Sequence, residues 1–170
     1  MKQGIKVMAA AMLSLILVAC GGSGSSSSGA VTTFAGTETI TVSVANVATI
    51  PPQTSVFPLA IQLTDSAVKI IDIDGTVFKG VLKGNSFSAS AKVPAETIDG
   101  IACNEFTVTY SGTLDSGSIT GNSSGRFTCS LSGTSVQFLV QGTFTVSRTT
   151  HSRMRGQSRR AWIKHFVRNI

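Results

Sequence analysis

The sequence predicts an all-β fold, an antiparallel meander of about eight strands that closes or nearly closes into an up-and-down barrel. Three observations support this prediction. From Gly36 to Val146, apolar and polar residues alternate with the period of two that half-buried strands show, and helical periodicity is absent. The region is rich in Val, Ile, Thr, Phe and Gly. Turn-forming pairs separate the alternating segments, at Asp74-Gly75, Gly84-Asn85, Ser116-Gly117 and Ser132-Gly133.

Eight strands are predicted, separated by these four turns, by the two residues Asp65 and Ser66, and by two longer connections. In chain order they are Gly36–Ala48, Val56–Thr64, Ala67–Ile73, Thr76–Lys83, Ser86–Val93, Asn104–Asp115, Ser118–Leu131 and Thr134–Ser147. Pro58 lacks the N–H group that a strand ladder needs. We therefore expect the second strand to lie at an edge or at a loosely closed part of the barrel.

The predicted strands can be paired about their turns, and the apolar faces then agree from strand to strand. A shift of one residue would move every apolar side chain to the wrong face. The predicted opposite pairs are Phe106 with Phe127, Tyr110 with Ser123, Gly112 with Gly121, Leu114 with Ile119, Phe127 with Phe138, Gly125 with Val140, Gly121 with Phe144, Ile119 with Val146, Ile71 with Phe78, and Leu82 with Phe87.

A meander with one apolar face must bury that face, either inside a barrel or between two packed sheets. Short sequential hairpins favour the barrel, and glycines within strands permit strong curvature. A two-sheet β-sandwich is the alternative. The strand count and order resemble lipocalin-like and avidin-like barrels. The chain lacks an early Gly-x-Trp motif, and its one tryptophan, Trp162, lies near the end of the chain.

The N-terminal segment carries a targeting pattern. Lys2 and Lys6 precede an apolar run, Val7 to Ala19, which is too short for a permanent membrane span. The run ends in Leu17-Val18-Ala19-Cys20. This segment resembles the signal peptide and lipobox of bacterial lipoproteins. The resemblance covers residues 1–20 and implies cleavage before Cys20 and acylation of Cys20.

These features divide the chain into four parts. Residues 1–19 are the expected signal peptide, and residues 20–35 are the lipidated cysteine and a Gly/Ser-rich tether. Residues 36–147 are the expected β domain, and residues 148–170 a basic tail. The protein is expected in the cell envelope, held to a membrane by lipid. Gly21 replaces the Asp that retains enteric lipoproteins on the inner membrane, which favours the outer membrane.

The charge is divided unevenly along the chain. Residues 20–147 hold five basic and eight acidic residues, a net charge of −3, whereas residues 148–170 hold seven basic residues and no carboxylate side chain. Trp162, Ile163, Phe166 and Val167 recur at helical spacing in this tail, as does Ile170. The tail is therefore either disordered or a short amphipathic helix that contacts anionic lipid. We expect no nucleic-acid partner for an exported protein, and a protein partner is not identified.

Two cysteines remain for the β domain once Cys20 is assigned to lipid. The hairpin register places Cys129 opposite Asn104, next to Cys103. An even pair in an exported domain favours a disulfide between Cys103 and Cys129. Two free thiols or a metal site are the alternatives, and no third metal ligand is predicted nearby.

The sequence offers little support for catalysis. Both histidines, His151 and His165, lie in the tail, and Asp72 and Asp74 are interpreted as residues flanking a turn. We predict no catalytic residue, metal or cofactor. A non-enzymatic barrel that binds a small apolar or envelope-derived ligand is the first expectation, and a filled structural or interaction module the alternative. The candidate ligand-lining residues are Phe78, Phe87, Phe106, Phe127, Phe138 and Phe144.

Overall fold

Ten strands and one helix are present in the computed structural model, which describes residues 30–45, 47, 49–131, 133–150, 156 and 158–169. The expected signal peptide, Cys20 and most of the tether lie outside the described residues. The elements are β1 (Thr32–Val44), β2 (Gln53–Leu63), β3 (Ala67–Asp72), β4 (Val77–Lys83), β5 (Ser86–Val93), β6 (Glu96–Ile98), β7 (Ile101–Cys103), β8 (Phe106–Asp115), β9 (Ser118–Leu131), β10 (Thr134–Arg148) and α1 (Arg159–Arg168).

Eight strands form a closed antiparallel barrel, which confirms the predicted fold class. Each of β1–β5 and β8–β10 pairs with its chain neighbour among these eight, and β1 also pairs with β10. This last ladder runs from Phe34 opposite Arg148 to Val44 opposite Phe138. Because it joins the first strand to the last, the sheet has no gap at which a β-sandwich would separate into two layers.

The hairpin registers predicted for the second half of the chain are confirmed, but the β8–β9 ladder ends at Val108 opposite Gly125, so the predicted pair of Phe106 with Phe127 is not formed. Tyr110 lies opposite Ser123 and Leu114 opposite Ile119 in the β8–β9 ladder. All four predicted pairs of β9 and β10 are present, among them Phe127 with Phe138. In these two hairpins the turn residues and the alternation of apolar residues were therefore sufficient to predict the register.

The register predicted about Asp74-Gly75 is wrong by one residue. Phe78 lies opposite Ile70, not Ile71. The backbone N–H of Asp72 bonds to the carbonyl of Thr76, and Gly75 has a φ of 78°. Three residues therefore separate this bonded pair, where a two-residue turn was predicted. As a consequence Val68, Ile70 and Asp72 face the barrel interior.

A short hairpin, β6–β7, occupies the region predicted as a loop. Beyond the end of its ladder with β8, strand β9 pairs with β7, and Cys103 lies directly opposite Cys129. The two form the predicted disulfide. The sequence had placed Asn104, rather than Cys103, opposite Cys129.

The barrel extends beyond both predicted ends of the β domain. β1 begins at Thr32, so residues 32–35 belong to the barrel and not to the tether. The tail contains helix α1, whose Trp162, Phe166 and Val167 are buried in the same core as Phe57 and Phe138. The expectation that the domain ends near Ser147 is therefore corrected. In the described part of the chain, no helix is long and apolar enough to span a membrane.

Helix α1 closes one end of the barrel, which we call the helix end. This end contains the C-terminus of β1, the N-terminus of β10, and the β6–β7 hairpin with its disulfide. The first residues of β1 lie at the opposite end, where Phe34, Leu63 and Val68 belong to a second apolar cluster. A layer of buried polar side chains lies where these two clusters meet.

Candidate functional site: a buried polar cluster beside the C-terminal helix

Among the described residues, five polar side chains lie together inside the barrel, and we call them the buried polar cluster. Each is contributed by a different element, and their strands are not all neighbours in the sheet. The members are Glu38 (β1), Asp72 (β3), Tyr110 (β8), Ser123 (β9) and Arg159 (α1).

Glu38 is at the centre of the cluster and is fully buried. It occupies an inward position of β1, between Gly36 and Ile40, because alternate residues of this strand face the core. Its carboxylate accepts hydrogen bonds from Ser123 Oγ and from Tyr110 Oη, the latter at 2.9 Å. Arg159 donates to it from Nη2.

Arg159 is the first residue of α1 and the only basic member of the cluster. It also contacts Asp72, with Nη1 3.2 Å from Oδ2. Ser158 caps the helix by accepting from the N–H of Ala161, and Asp74 accepts from Ser158 Oγ and from the N–H of Arg160. The first turn of α1 is thereby held above the end of β3, where its arginine can enter the barrel.

Gly142 makes room for the Glu38 carboxylate. It lies opposite Ser123 in β9 and opposite Ile40 in β1. A Cβ atom at this position would be 2.6 Å from Glu38 Oε1. No side chain larger than hydrogen fits here without displacing the carboxylate.

The cluster holds two carboxyl groups against one guanidinium group. Burial raises the pKa of Glu38 above its ordinary value of 4.5 and that of Asp72 above 3.8, and Arg159 reduces both shifts without cancelling them. Burial also raises the pKa of Tyr110, which keeps its hydroxyl protonated as a donor to Glu38. The cluster therefore keeps ionisable groups inside an apolar core, where they are paired and hydrogen-bonded to one another.

A small, partly open pocket, which we call the helix pocket, lies between α1 and the barrel wall beside this cluster. Its volume is about 120 Å³. Its charged lining residues are Asp72, Asp74, Lys92, Glu96, Arg159, Arg160 and Lys164. Its apolar walls are Phe78, Val93, Phe106, Val108, Val140 and Ile163. Asp72 Oδ1 and Arg159 Nε are buried and make no hydrogen bond within the described protein.

Ion pairs surround the outer side of the pocket. Glu96 of β6 pairs with Arg160 at 2.8 Å and also with Lys164. Lys92 pairs with Glu105 at 2.7 Å. The polar face of α1 is thus joined to the β6–β7 hairpin, while its apolar face covers the core.

The six predicted ligand-lining phenylalanines all lie in the barrel but do not surround one cavity. Phe127 is stacked on Phe138, with ring centroids 4.8 Å apart, and Phe138 contacts Phe166 of α1. Phe87 and Phe144 pack together in the other cluster. Phe78 and Phe106 line the helix pocket.

The buried polar cluster was not predicted from the sequence. The Asp74-Gly75 register error placed the apolar face of β3 one residue out, which concealed that Asp72 shares the inward face with Ile70. Glu38 stands in a row of inward residues with Phe34, Ile40 and Val42. The sequence did contain one indication of the cluster. Glu38 is an acidic residue at a position of β1 that the alternating pattern directs into the core.

Comparison with known proteins adds no assignment to this site. No protein-family model and no curated protein matches the chain. The part of the chain that the structure describes contains no group of three or more His, Cys, Asp or Glu side chains that could hold a metal ion. The candidate site therefore rests on the geometry of the cluster and the helix pocket.

Proposed function

We propose that this protein is a lipid-anchored component of the bacterial cell envelope that acts as a non-enzymatic structural or interaction module. The anchor is the acylated Cys20 implied by the lipobox resemblance, and three acyl chains hold such a protein durably to a membrane. The outer membrane is the favoured location. The barrel would dock another envelope component through its outer surface.

The observation that carries this proposal is that the chain fills the helix end of its own barrel. Trp162, Phe166 and Val167 of α1 occupy the helix end, and Phe57, Phe127 and Phe138 pack against them. The helix pocket, at about 120 Å³, is smaller than the roughly 300–1,000 Å³ of typical ligand sites. A small apolar ligand held among the six phenylalanines has less support, because five of these rings contact one another in two groups and Phe78 packs against Tyr110.

The placement of the two ends supports the docking role. The tether enters at Thr32, at the end of the barrel opposite α1. In an anchored protein the helix end would point away from the membrane and be available to a partner. Anionic lipid contact through the tail has less support, because Trp162 and Phe166 are buried and Arg160, Lys164 and Arg168 pair with acidic residues of the hairpin region.

One experiment tests the anchor and the filled interior together. Full-length protein is extracted from cell membranes and its mass is measured under native and denaturing conditions. We expect the mature chain from Cys20 with its acyl chains, and no apolar molecule retained at a 1:1 ratio. Cys20→Ser should lose the acyl mass and leave the membrane fraction.

The control is the double variant Cys103→Ser/Cys129→Ser, which removes the other two cysteines and should remain in the membrane fraction. Membrane recovery of Cys20→Ser at wild-type mobility would refute the anchor. A stoichiometric apolar ligand in the native spectrum would refute the filled-module role and restore the ligand-binding alternative.

A further inference from the structure

Residues 20–147 contain five basic residues, and four of them lie on one side of the barrel wall. The four are exposed lysines on three neighbouring strands, Lys69 of β3, Lys79 and Lys83 of β4, and Lys92 of β5. These strands carry no acidic residue at an outward position, since Asp72 faces the interior. We call this side the basic face.

Three lysines of the basic face have no counter-charge. Lys92 pairs with Glu105, whereas the other three form no ion pair with any described residue. Lys69 lies directly opposite Lys79 in the β3–β4 ladder. Like charges in such a pair destabilise a sheet. An anion bound over the pair would remove this repulsion.

Uncharged polar side chains continue from the basic face around the barrel in cross-strand rows. One row leads from Lys83 to Ser86, Thr113, Thr120 and Thr145. A second row leads from Lys79 to Ser90, Thr109, Ser124 and Gln141. Between the two lie Ser88, Ser111, Asn122 and Thr143. These twelve polar side chains are exposed and make no hydrogen bond with a described residue, so they are available to a ligand.

The surface over these rows is concave. An open depression of about 590 Å³ lies over β4 and β5 and is lined by Lys79, Lys83 and the serines of β5. A second depression of about 590 Å³ extends over β8, β9 and β10, and the two share Ser86. We call them together the outer groove. Because neighbouring strands lie about 4.8 Å apart, a path across these five strands is roughly 19 Å long, which suits an extended polymer.

We propose that the outer groove binds an acidic polysaccharide. The lysines without counter-charge pair with its carboxylate groups, and the Ser and Thr rows exchange hydrogen bonds with its hydroxyl groups. Each such contact at an exposed surface is weak, so affinity depends on many sugar residues being bound at once. This inference names the partner class for the docking role proposed above and rests on that role.

Calorimetric titration of the full-length protein in detergent with an oligogalacturonate and with its methyl ester tests the proposal. The ester keeps every sugar ring and removes the negative charges. We expect the acid to bind at least about tenfold more tightly, because the ester cannot pair with the three lysines. Its affinity should fall as added salt screens these charges.

Three double variants locate the binding. Lys79→Gln/Lys83→Gln should weaken binding of the acid about fivefold. Thr113→Val/Thr120→Val keeps shape and charge, and the loss of two hydroxyl groups should also weaken binding about fivefold. Arg126→Gln/Arg148→Gln is the matched control, because it removes two exposed cations that lie outside the rows and should bind like wild type.

Several outcomes would overturn the proposal. They are equal affinity for the acid and its ester, no binding of either, an equal loss in the lysine and arginine variants, or wild-type binding by Thr113→Val/Thr120→Val. Lysine-dependent binding of Cys20→Ser protein to anionic phospholipid vesicles, with no binding of the oligosaccharide, would assign the basic face to a membrane. The membrane anchor is tested separately by fractionation of Cys20→Ser, so either proposal can fail alone.

Discussion

At the residue scale, the fold depends on one arginine that is shared by two buried acids. Removing one partner of a buried ion pair typically costs about 3–5 kcal/mol, because the other charge is left uncompensated. Arg159 also lies near the rings of Phe57 and Tyr110, at 6.0 and 5.9 Å from their centroids. It therefore contributes both charge and packing at the centre of the barrel.

The raised pKa values predict how stability depends on pH. The folded protein retains protons on Glu38 and Asp72 at pH values where the unfolded chain has lost them. Their contribution to the free energy of unfolding is therefore present at low pH and is lost as the pH rises from about 4 through the folded pKa values. Glu38→Gln removes one of these groups and should flatten this part of the pH profile.

The measurement is denaturant unfolding at a series of pH values, taken as the difference between variant and wild type. Glu105→Gln is the matched control, because Glu105 pairs with Lys92 on the surface. Its difference from wild type should not reproduce the profile of Glu38→Gln. A difference between Glu38→Gln and wild type that does not change with pH would show that burial of this carboxyl group has no linkage to folding.

Individual residues also show the limit of sequence reasoning. The disulfide of Cys103 and Cys129 could be predicted because hairpin pairing is a local property. The contact between Glu38 and Arg159 spans 121 residues and joins a strand to a helix, so no periodicity or turn connects the two. A register based on the commonest turn length was wrong at Gly75, where a positive φ accommodates a third loop residue.

At the element scale, α1 is part of the barrel core and not an appendage. The helical spacing of Trp162, Ile163, Phe166 and Val167 could be recognised in the sequence. The barrel surface against which this helix packs could not. The abrupt change in charge after β10 had suggested a separate tail. In the structure the basic residues Arg159, Arg160 and Lys164 of α1 pair with acids of the barrel and the β6–β7 hairpin, namely Glu38, Asp72 and Glu96.

Truncation after Arg148 should accordingly destabilise the protein strongly. It exposes the apolar surface now covered by three buried helix residues, each worth about 1.5–3 kcal/mol, and leaves Glu38 and Asp72 without a counter-charge. The expected loss is a large share of the about 5–15 kcal/mol of a typical domain. Thermal unfolding followed by circular dichroism measures it.

Arg160→Gln is the matched control for this truncation. It removes an exposed cation of the same helix and breaks a surface ion pair, worth about 0–1 kcal/mol. The midpoint temperature of thermal unfolding of Arg160→Gln should therefore lie close to that of wild type. A truncated protein that melts at the wild-type temperature would show that the barrel is stable without α1.

At the scale of the whole molecule, the barrel and the helix should unfold together. Trp162, the one tryptophan of the chain, packs against Phe57 of β2 with ring centroids 5.4 Å apart. Its fluorescence therefore reports the contact between helix and barrel. We expect the fluorescence and far-ultraviolet circular dichroism transitions in denaturant to coincide, as in two-state unfolding.

Fluorescence and circular dichroism together also test the variant that lacks the disulfide. In Cys103→Ser/Cys129→Ser both transitions should move to lower denaturant together, because the disulfide and α1 belong to the same core cluster. A fluorescence change that precedes the loss of strand signal in wild type would instead identify α1 as an independently opening unit.

The position of Arg159 after every strand has a consequence for the order in which the chain is synthesised. While the ribosome is still adding residues, the barrel lacks the strand that closes it and the guanidinium group that neutralises its interior acids. The nascent chain then has no complete core on which to fold. The core is therefore completed only after α1 has left the ribosome.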